Sequence, residues 1–326
     1  MKCFGVVGLG SIGKRHIANL RELHPNEKIF GVSSSGLNKK KPKEVNAIIE
    51  IEELIDYKPI YIIIASPASF HVKHSMGAIK SNIPLIIEKP LADNLKNGLY
   101  LKNTLKKFEK RIVSVGYCLR FLKSACAVKK LLSSNLLGNI YYVNANVGQY
   151  LPTWRKDINY ENSVSARKDL GGGVLLELSH EIDYLQWLFG DLTLHHCNLK
   201  RSGEFNIDVE DIADLVLSNS KDVYINLHLD FIQKFPQRRC QIIAENGRVE
   251  WNLMLNEVKF YTSEGEQNIF SDLNKSSKND MYLDMLNDFE KNLSNTDNNL
   301  ATIDSAIKVL QIIESAKKIA NGRNKY

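Results

Sequence analysis

The chain has 326 residues, of which 44% are hydrophobic and 25% charged, and its formal net charge is +6. This length is typical of two domains, and the composition is that of a globular protein with enough apolar residues for two cores. The basic residues are scattered, which argues against a nucleic-acid-binding protein, and the longest apolar run, residues 60–65, is far shorter than the roughly 20 residues of a membrane span.

The cysteines and the first residues of the chain indicate the cellular compartment in which the protein works. Five cysteines are an odd number, and none forms a Cys-x-x-Cys pair, so reduced and mostly buried thiols are expected. The first residues are typical of a strand and not of a secretory signal. We therefore predict a cytoplasmic protein with no membrane segment and no nucleic-acid partner.

Short apolar runs alternate with amphipathic stretches in the first third of the chain. Strands are predicted at residues 2–7, 28–33, 47–51, 60–65, 85–87 and 111–116. Helices are predicted at residues 12–23, 52–57, 70–81 and 94–109. Strands that alternate with helices form a parallel, doubly wound α/β sheet, so we predict a Rossmann domain over residues 1–120.

The pattern changes after residue 120. A predicted helix, a half-exposed strand and a polar connection come first, at 123–136, 140–148 and 157–168. A helix at 174–189 follows, and then come strands without intervening helices, at 212–217, 223–231, 239–244 and 248–253. Two helices close the chain. We predict an α+β domain over residues 121–326 with a large open, mostly antiparallel sheet.

A glycine motif joins the first predicted strand to the first predicted helix, which is the context that a dinucleotide-binding site requires. Gly8 permits the tight turn, Gly10 lets the backbone approach a pyrophosphate, and Gly13 lets helix and strand pack closely. The N-terminus of the helix faces the negative charge of the pyrophosphate. The predicted dinucleotide contacts of this loop are Gly8, Gly10, Ser11, Ile12 and Gly13.

The residues after the second strand indicate which dinucleotide binds. An acidic residue about 20 positions beyond the motif holds the ribose hydroxyls of NAD, but Ser33 and Ser34 stand there. Hydroxyl groups and the lysines at 39–41 can hold the 2′-phosphate of NADP instead. NADP is therefore the favoured cofactor and NAD the alternative. The other interpretation of this segment is an ordinary loop with solvated lysines.

Lys89 follows an apolar strand, at the end where such folds bind their ligand. Oxidising an alcohol requires removal of a hydroxyl proton, and a lysine in this place can relay that proton or stabilise the developing alkoxide. Pro90 restrains the backbone after it, and Glu88 is predicted to orient the turn or the cofactor side chains. The alternative interpretation of Lys89 is a solvated surface lysine.

Several stretches, in this order, resemble the glucose–fructose oxidoreductase and inositol dehydrogenase family (Gfo/Idh/MocA). They are the glycine motif, Ala65-Ser66-Pro67 with His71, Glu88-Lys89-Pro90-Leu91, residues 116–121, and the glycines at 171–173 with His180 and Asp183. The resemblance implies a Rossmann domain and an open-sheet domain that usually builds dimers or tetramers. It also implies that Lys89 lies beside the nicotinamide and touches the substrate hydroxyl. The further predicted cofactor contacts are Ser66, Pro67, His71, Glu88 and Lys89.

His180 is the second candidate acid/base group or substrate orienter, and Glu177 stands three residues before it. Histidine ordinarily changes charge near neutral pH, and residues three apart share a helix face, so Glu177 can orient the ring. The family usually places an aspartate four residues before the histidine, so the role of Glu177 stays open. A packed helix histidine is the alternative. No third ligand of matching spacing appears, so no metal is predicted.

Aromatic residues lie beside polar and cationic ones at 150–168, a combination that suits a sugar, because rings stack on C–H faces and polar groups reach hydroxyls. This stretch looks like a subgroup of the family often associated with bacterial surface-polysaccharide or unusual-sugar pathways. An exposed connection in which Trp154 covers a core edge is the alternative. The predicted substrate contacts are Arg120, Trp154, Arg155, Tyr160, Arg167 and Glu177.

The sequence thus predicts an NAD(P)-dependent dehydrogenase or reductase that transfers hydride to or from a hydroxyl-bearing carbon of a sugar, cyclitol or nucleotide sugar. Its expected partners are that small substrate and further copies of the chain, as a homodimer or homotetramer. Two other functions stay open. One is a non-catalytic dinucleotide sensor, against which Lys89 and His180 argue, and the other is an epimerase or lyase that recycles a tightly held cofactor.

Overall fold

The computed structural model describes residues 2–33, 41–108, 110–154, 159–272, 277–293 and 299–323. The chain divides into two compact units. Unit 1 comprises Met1–Cys118 and Tyr282–Leu310, and unit 2 comprises Leu119–Met281 and Gln311–Tyr326. The chain therefore returns to unit 1 late in its course, whereas the sequence predicts one crossing, at residue 120.

The strands of unit 1 are β1 (Cys3–Val7), β2 (Lys28–Val32), β3 (Ala47–Ile48), β4 (Ile62–Ile64), β5 (Leu85–Glu88) and β6 (Val113–Gly116). The helices that alternate with them are α1 (Ser11–Leu23), α2 (Ile51–Asp56), α3 (Ala68–Lys80) and α4 (Leu95–Leu105). All neighbouring strands are parallel, in the spatial order β3-β2-β1-β4-β5-β6. This is the doubly wound Rossmann arrangement, so the fold prediction for this part is confirmed.

The strand order of this sheet reverses between β1 and β4, which pair directly with Val7 opposite Ile64. The three isoleucines of β4 are fully buried, as the uninterrupted apolar run predicts for a strand covered on both faces. In open α/β sheets, ligands bind in the crevice outside the carboxyl ends of the strands at such a reversal. The residues that follow β1, β4 and β5 therefore define the edge where a ligand is expected.

Two helices, α8 (Asp280–Lys291) and α9 (Ile303–Arg323), close the chain. In unit 1, the ring of Phe289 packs edge-on against Tyr61, with 5.2 Å between ring centroids, and the Tyr61 hydroxyl donates to Glu290 at 2.8 Å. The backbone of Ala301 forms an antiparallel bridge with Val115, at the β6 edge of the sheet. These contacts join residues far apart in the chain, and helical periodicity alone does not indicate them.

Unit 2 contains an eight-stranded sheet. Its strands are β7 (Ile140–Gly148), β8 (Leu192–Lys200), β9 (Ile212–Asn219), β10 (Tyr224–Asp230), β11 (Gln237–Ala244), β12 (Gly247–Asn252), β13 (Glu257–Thr262) and β14 (Gly265–Ser271). Their spatial order is β14-β13-β12-β11-β7-β10-β9-β8. The pair β7 and β10 is parallel and the other neighbours are antiparallel, which confirms the predicted large, mostly antiparallel sheet.

The sheet of unit 2 has one buried face. Along β7, Val143 and Ala145 are buried whereas Asn144 between them is exposed, the alternation expected of a strand covered on one side. Helix α5 (Lys123–Ser133) packs on β13 and β14, and Ser124 at its start accepts a hydrogen bond from the indole of Trp251 at 2.8 Å. The polar face of the sheet is therefore an intrinsic property of the strand pattern.

The predicted helix at 174–189 is wrong in one respect, because the structure divides it into α6 (Val174–Glu177) and α7 (His180–Phe189). Leu178 leaves helical geometry with φ −98° and ψ 23°. The backbone hydrogen bonds change there, because the N–H of Ser179 donates to Leu176 at 3.4 Å and the N–H of Glu181 donates to Leu178 at 3.1 Å, each three residues back instead of four. These shorter steps interrupt the α-helical hydrogen-bond pattern between α6 and α7. Glu177 and His180 consequently do not share one face of a continuous helix.

The cysteines of both units are free thiols, four buried and Cys126 exposed. Burial raises the pKa of the Cys240 thiol to about 12, so this thiol is neutral at ordinary pH. Among the helices in the described ranges, none combines the length and the apolar character needed to cross a membrane.

Candidate active site

The glycine loop between β1 and α1 has the backbone of a dinucleotide cradle. Gly8 has φ +101°, a left-handed conformation that favours glycine, and a Cβ there would meet the Ala65 carbonyl. A Cβ at Gly13 would overlap the carbonyl oxygen of Gly8, whereas a Cβ at Gly10 would meet no atom within 4 Å. Gly10 is also the N-cap of α1 and makes no side-chain capping bond. The backbone N–H groups at the start of α1 therefore have open space at Gly10, and such a space fits a pyrophosphate.

The segment after β2 is described only in part. Ser33 directly follows the strand, so a hydroxyl stands at the position where NAD-binding folds carry a carboxylate. The ammonium group of Lys41 donates to the carbonyl oxygen of Asn46 at 3.2 Å, which ties this lysine to its own loop. Outside the described residues lie Ser34, Lys39, Lys40 and Arg155.

Lys89 lies at the carboxyl edge of the unit 1 sheet, directly after β5. β4 lies between β1 and β5, so the edge runs from the glycine loop past Ser66 and Pro67 to Lys89. Lys89 is half-buried, while Glu88 and Pro90 on either side of it are buried. The structure thus brings the predicted loop, the predicted Ser-Pro turn and the predicted lysine to one edge of one sheet.

Glu88 is held by a histidine that the sequence reasoning missed. Nε2 of His16, on α1, lies 2.7 Å from Oε1 of Glu88, and both side chains are buried. The other carboxylate oxygen accepts the backbone N–H of Lys89 at 3.2 Å. A Cβ at Gly116 would lie 3.0 Å from Oε1, so the glycine leaves room for the carboxylate. Glu88 therefore connects the Lys89 turn to the helix of the glycine motif.

His71, predicted as a cofactor contact, is enclosed by backbone. Its Nδ1 lies 2.9 Å from the carbonyl oxygen of Pro90, and its Nε2 lies 2.7 Å from the carbonyl oxygen of Ser66. Burial lowers the pKa of His71, which favours the neutral ring. A second histidine on α3, His74, places Nδ1 3.0 Å from the Ser66 hydroxyl. These contacts favour a supporting role for His71 within the loops at this edge.

Two predicted site residues of unit 2, Glu177 and His180, lie at the turn between α6 and α7. Glu177 ends α6 and His180 begins α7. The hydroxyl of buried Ser165 donates to Oε2 of Glu177 at 3.1 Å. The backbone N–H of Gly173 donates to the Ser165 carbonyl at 3.0 Å, so the loop of Ser165 is fastened to the glycines that precede α6. Ser165 and Glu177 are thus joined by a hydrogen bond, and Glu177 stands three residues before His180 in the chain.

Arg120 does not stand free for a ligand. Its guanidinium donates to both carboxylate oxygens of Asp183 on α7, from Nε at 2.8 Å and from Nη2 at 2.6 Å. On the neighbouring carboxylate of α7, Glu181 accepts from Nε and Nη2 of Arg238 at 2.5 and 2.9 Å. The pair with Asp183 is buried, which favours a supporting role for Arg120 over direct contact with a substrate.

The remaining predicted substrate residues are dispersed within unit 2. Trp154 packs edge-on against Phe231, with 5.0 Å between ring centroids. The hydroxyl of Tyr160 accepts the backbone N–H of Asn206 at 3.4 Å. Arg167 forms a bidentate pair with Asp169 at 3.0 and 2.6 Å, and this pair is exposed. Their roles in substrate binding stay predictions.

Two family models match the chain. One is described as the oxidoreductase family with an NAD-binding Rossmann fold and matches residues 2–117. The other is described as the GFO/IDH/MocA C-terminal domain and matches residues 126–250. The chain belongs to the Gfo/Idh/MocA family. The protein is therefore an oxidoreductase with an NAD(P)-binding Rossmann fold, as its sequence predicts.

Known members of the Gfo/Idh/MocA family are similar along most of the chain. Glucose-6-phosphate 3-dehydrogenase from Bacillus subtilis is 26% identical over 246 residues, which are 70% of this chain and 67% of the relative. Inositol 2-dehydrogenase from Acidothermus cellulolyticus is 23% identical over 255 residues, which are 75% and 71% of the two chains. The solved structure of levoglucosan dehydrogenase in complex with NADH has a TM-score of 0.83 and 17% identity, and covers 98% of this chain and 97% of that chain. At 17% identity, the similarity to this structure shows a shared fold and not a shared substrate.

Sequence reasoning missed His16, although a signal was present. The buried residues of α1 are Gly13, His16, Ile17, Asn19 and Leu20, so two polar side chains, one of them the His16 ring, interrupt the apolar face. A buried histidine on such a face needs a hydrogen-bond partner, and here the partner is Glu88. Within the described ranges, no group of three or more His, Cys, Asp or Glu side chains is arranged to hold a metal ion.

Proposed function

We propose that the protein is a dehydrogenase or reductase that acts on a hydroxyl-bearing carbon of a sugar, cyclitol or nucleotide sugar. The observation that carries the proposal is the carboxyl edge of the unit 1 sheet, which holds both the glycine cradle after β1 and Lys89 after β5. Relatives named glucose-6-phosphate 3-dehydrogenase and inositol 2-dehydrogenase support a polyhydroxylated substrate. The same relatives disfavour a non-catalytic sensor.

The glycine loop is the part of the proposed site that holds the dinucleotide. Gly8, Gly10 and Gly13 let the backbone approach the pyrophosphate, and the N–H groups at the start of α1 donate to it. Ser66 and Pro67 line the next strand end along the same edge. The nicotinamide supplies the chemistry of accepting or giving up a hydride when the cofactor is bound.

Lys89 is the proposed proton-transfer group. When hydride leaves a carbinol carbon, the hydroxyl proton must leave the oxygen, and Nζ of a half-buried lysine can receive it or return it. The neighbours of Lys89 restrain its backbone, because Glu88 accepts its N–H and Pro90 follows it. A side chain that starts from a fixed backbone loses less entropy when it adopts the reactive position.

His180 is the proposed second acid/base group or substrate orienter, and Glu177, three residues before it, accepts a hydrogen bond from Ser165. His180 is the first residue of α7, which also carries the paired carboxylates Asp183 and Glu181. The proposed substrate contacts from unit 2 are Trp154, Arg155, Tyr160, Arg167 and Glu177, with Arg120 in support of α7.

We propose NADP as the preferred cofactor because Ser33, and not a carboxylate, follows β2. A carboxylate there would repel a 2′-phosphate, whereas hydroxyl groups and lysine ammonium groups donate hydrogen bonds to it. Dissociation constants for NADPH and NADH, measured by nicotinamide fluorescence, test this preference. Equal or tighter binding of NADH would overturn it.

The proposal also includes a cytoplasmic homodimer or homotetramer. Five free cysteines, four of them buried, suit a reducing compartment. The polar face of the unit 2 sheet offers a surface for a second copy of the chain. Sedimentation velocity tests the assembly, and a monomer at micromolar concentration would contradict it. Cell fractionation tests the location.

The decisive experiment compares Lys89→Ala with a matched control, Lys80→Ala. Lys80 is an exposed lysine at the end of α3, so the control reproduces the loss of a surface charge. We expect Lys89→Ala to lower kcat by about 100-fold or more while the dinucleotide still binds, and Lys80→Ala to have no effect. Near-normal turnover in Lys89→Ala would overturn the assignment.

The substrate class is tested by a screen of free sugars, cyclitols, sugar phosphates and nucleotide sugars with both cofactors. Nicotinamide absorbance reports turnover in either direction. Cofactor that co-purifies and returns to its starting redox state in each cycle would point to an epimerase or lyase instead.

A further inference from the structure

Two buried histidines lie on either side of the Lys89 turn. His16, fully buried on α1, binds the carboxylate of Glu88 immediately before Lys89. His71, 1% exposed on α3, lies against the carbonyl oxygen of Pro90 immediately after it. The turn that carries Lys89 is thus contacted from both sides by side chains that belong to two different helices.

Each of these helices begins at a loop of the proposed cofactor site. α1 begins at Ser11, directly after Gly10 of the glycine cradle, and His16 lies in its second turn. α3 begins at Ala68, directly after Ser66 and Pro67, and His71 lies in its first turn. The same His71 ring that touches the Pro90 carbonyl also lies 2.7 Å from the Ser66 carbonyl. Each imidazole therefore connects the Lys89 turn to a helix that begins at a cofactor loop.

The surroundings of His16 make its contact with Glu88 specific. The ring packs edge-on against Tyr282, with 6.0 Å between ring centroids, and the guanidinium of Arg15 lies 4.7 Å from the same tyrosine ring. Gly116 leaves the space that the carboxylate of Glu88 occupies. A buried carboxylate that lost its imidazole would have to find another donor or move, and its second oxygen would take the Lys89 N–H with it.

The partners of His71 are both hydrogen-bond acceptors. A neutral imidazole has one N–H and donates to only one carbonyl oxygen, whereas a protonated ring donates to both. Burial lowers the pKa of His71, and the contacts with the two carbonyl oxygens oppose that shift. The ring lies between the Ser66 and Pro90 carbonyl oxygens, so it fixes the spacing between these two backbone segments.

We propose that His16 and His71 are positioning residues that set the place of the Lys89 ammonium relative to the bound dinucleotide. The inference rests on the proposed function, because it acts through Lys89. Neither histidine needs to touch substrate or cofactor. Displacements of about 1 Å at a reacting group can cost about 100-fold in rate, so the loss of either contact is expected to appear in kcat.

The test uses His16→Gln and His71→Gln, which replace the imidazole N–H donor by an amide N–H donor of different reach. We expect kcat to fall by about 10- to 100-fold, while the dissociation constant of the dinucleotide changes by less than about threefold. The matched control is His24→Gln. His24 lies at the end of the same helix and forms a partly exposed pair with Glu290 at 2.8 Å, and its substitution is expected to leave kcat unchanged.

The distinguishing measurement repeats both substitutions in a Lys89→Ala background. A residue that acts through Lys89 loses its effect on turnover when Lys89 is absent, whereas a residue that only stabilises the fold keeps its effect. Disappearance of the effect supports the inference. A kcat within twofold of the parent protein in both single variants, or the same loss with and without Lys89, overturns it.

Two precautions keep the outcomes separable. If His16→Gln does not fold, Glu88→Gln asks the same question from the other side of the pair, with nearly unchanged shape, and its kcat is interpreted in the same way. If Lys89→Ala itself has normal turnover, the proposed function fails. If Lys89→Ala loses turnover but His16→Gln and His71→Gln do not, the positioning inference alone fails.

Discussion

The buried pair between Arg120 and Asp183 leads to a sharp prediction about the stability of unit 2. The guanidinium meets the carboxylate in bidentate fashion at 2.8 and 2.6 Å. Arg120 is 5% exposed and Asp183 is 0% exposed, so water does not screen the two charges. Removal of one partner leaves the other charge in the interior without its counter-charge.

The expected magnitude follows from that burial. Asp183→Ala should lower the free energy of unfolding of unit 2 by about 3–5 kcal/mol, the usual effect of breaking a buried ion pair on one side. The double variant Arg120→Met with Asp183→Leu removes both charges and their desolvation cost together. It should lie within about 2 kcal/mol of the parent protein and be more stable than Asp183→Ala.

Tryptophan fluorescence is the appropriate assay. The three tryptophans, Trp154, Trp187 and Trp251, all belong to unit 2, so urea titration followed by their emission reports on that unit. Trp187 is also a local probe, because its ring centroid lies 6.0 Å from Cζ of Arg120. The reasoning would be refuted if Asp183→Ala lost less than about 1 kcal/mol of unfolding free energy. It would also be refuted if the double variant lost as much as Arg120→Met and Asp183→Leu lose together when each is made alone.

Three further measurements test other parts of the molecule. Hydrogen bonds to Asp230 and Asp214 raise the pKa of His228 from 6.5 to about 9. The stability that the protonated ring contributes is complete below pH 6.5 and is lost through about pH 9, so urea midpoints should fall over that range in the parent but not in His228→Gln. Gly13→Ala collides with backbone and should cost about 1–3 kcal/mol of stability. Gly10→Ala should fold normally but bind NAD(P)H roughly tenfold more weakly, a difference of about 1.4 kcal/mol, measured by nucleotide fluorescence.

The Rossmann fold of unit 1 could be predicted because its signals are local. The isoleucines of β4 predict a strand that is covered on both faces, and the glycine motif predicts the turn between β1 and α1. The alternation of strands and helices then leaves few possible topologies. The alternating strands of unit 2 likewise predict an open sheet, because the period of two residues is a property of each strand alone.

The supports of the proposed site could not be predicted with the same certainty, because they depend on pairs distant in the chain. His16 and Glu88 are separated by 72 positions, and Arg120 and Asp183 by 63. Periodicity shows that His16 lies on a buried face but not which carboxylate meets it. The sequence also predicts a continuous helix through Leu178, where the structure shows three-residue backbone hydrogen bonds that interrupt it.

The family, the two kinds of sheet, the glycine cradle and the position of Lys89 at a strand end can all be read from the order of residues. Each depends on the spacing between residues that are close together in the chain. The contacts that support the Lys89 turn, the pairing of Arg120 with Asp183 and the return of Tyr282–Leu310 to unit 1 are visible only in the folded molecule. A buried charge or ring takes its partner from whatever segment folding brings beside it, and that proximity is a property of the packed molecule.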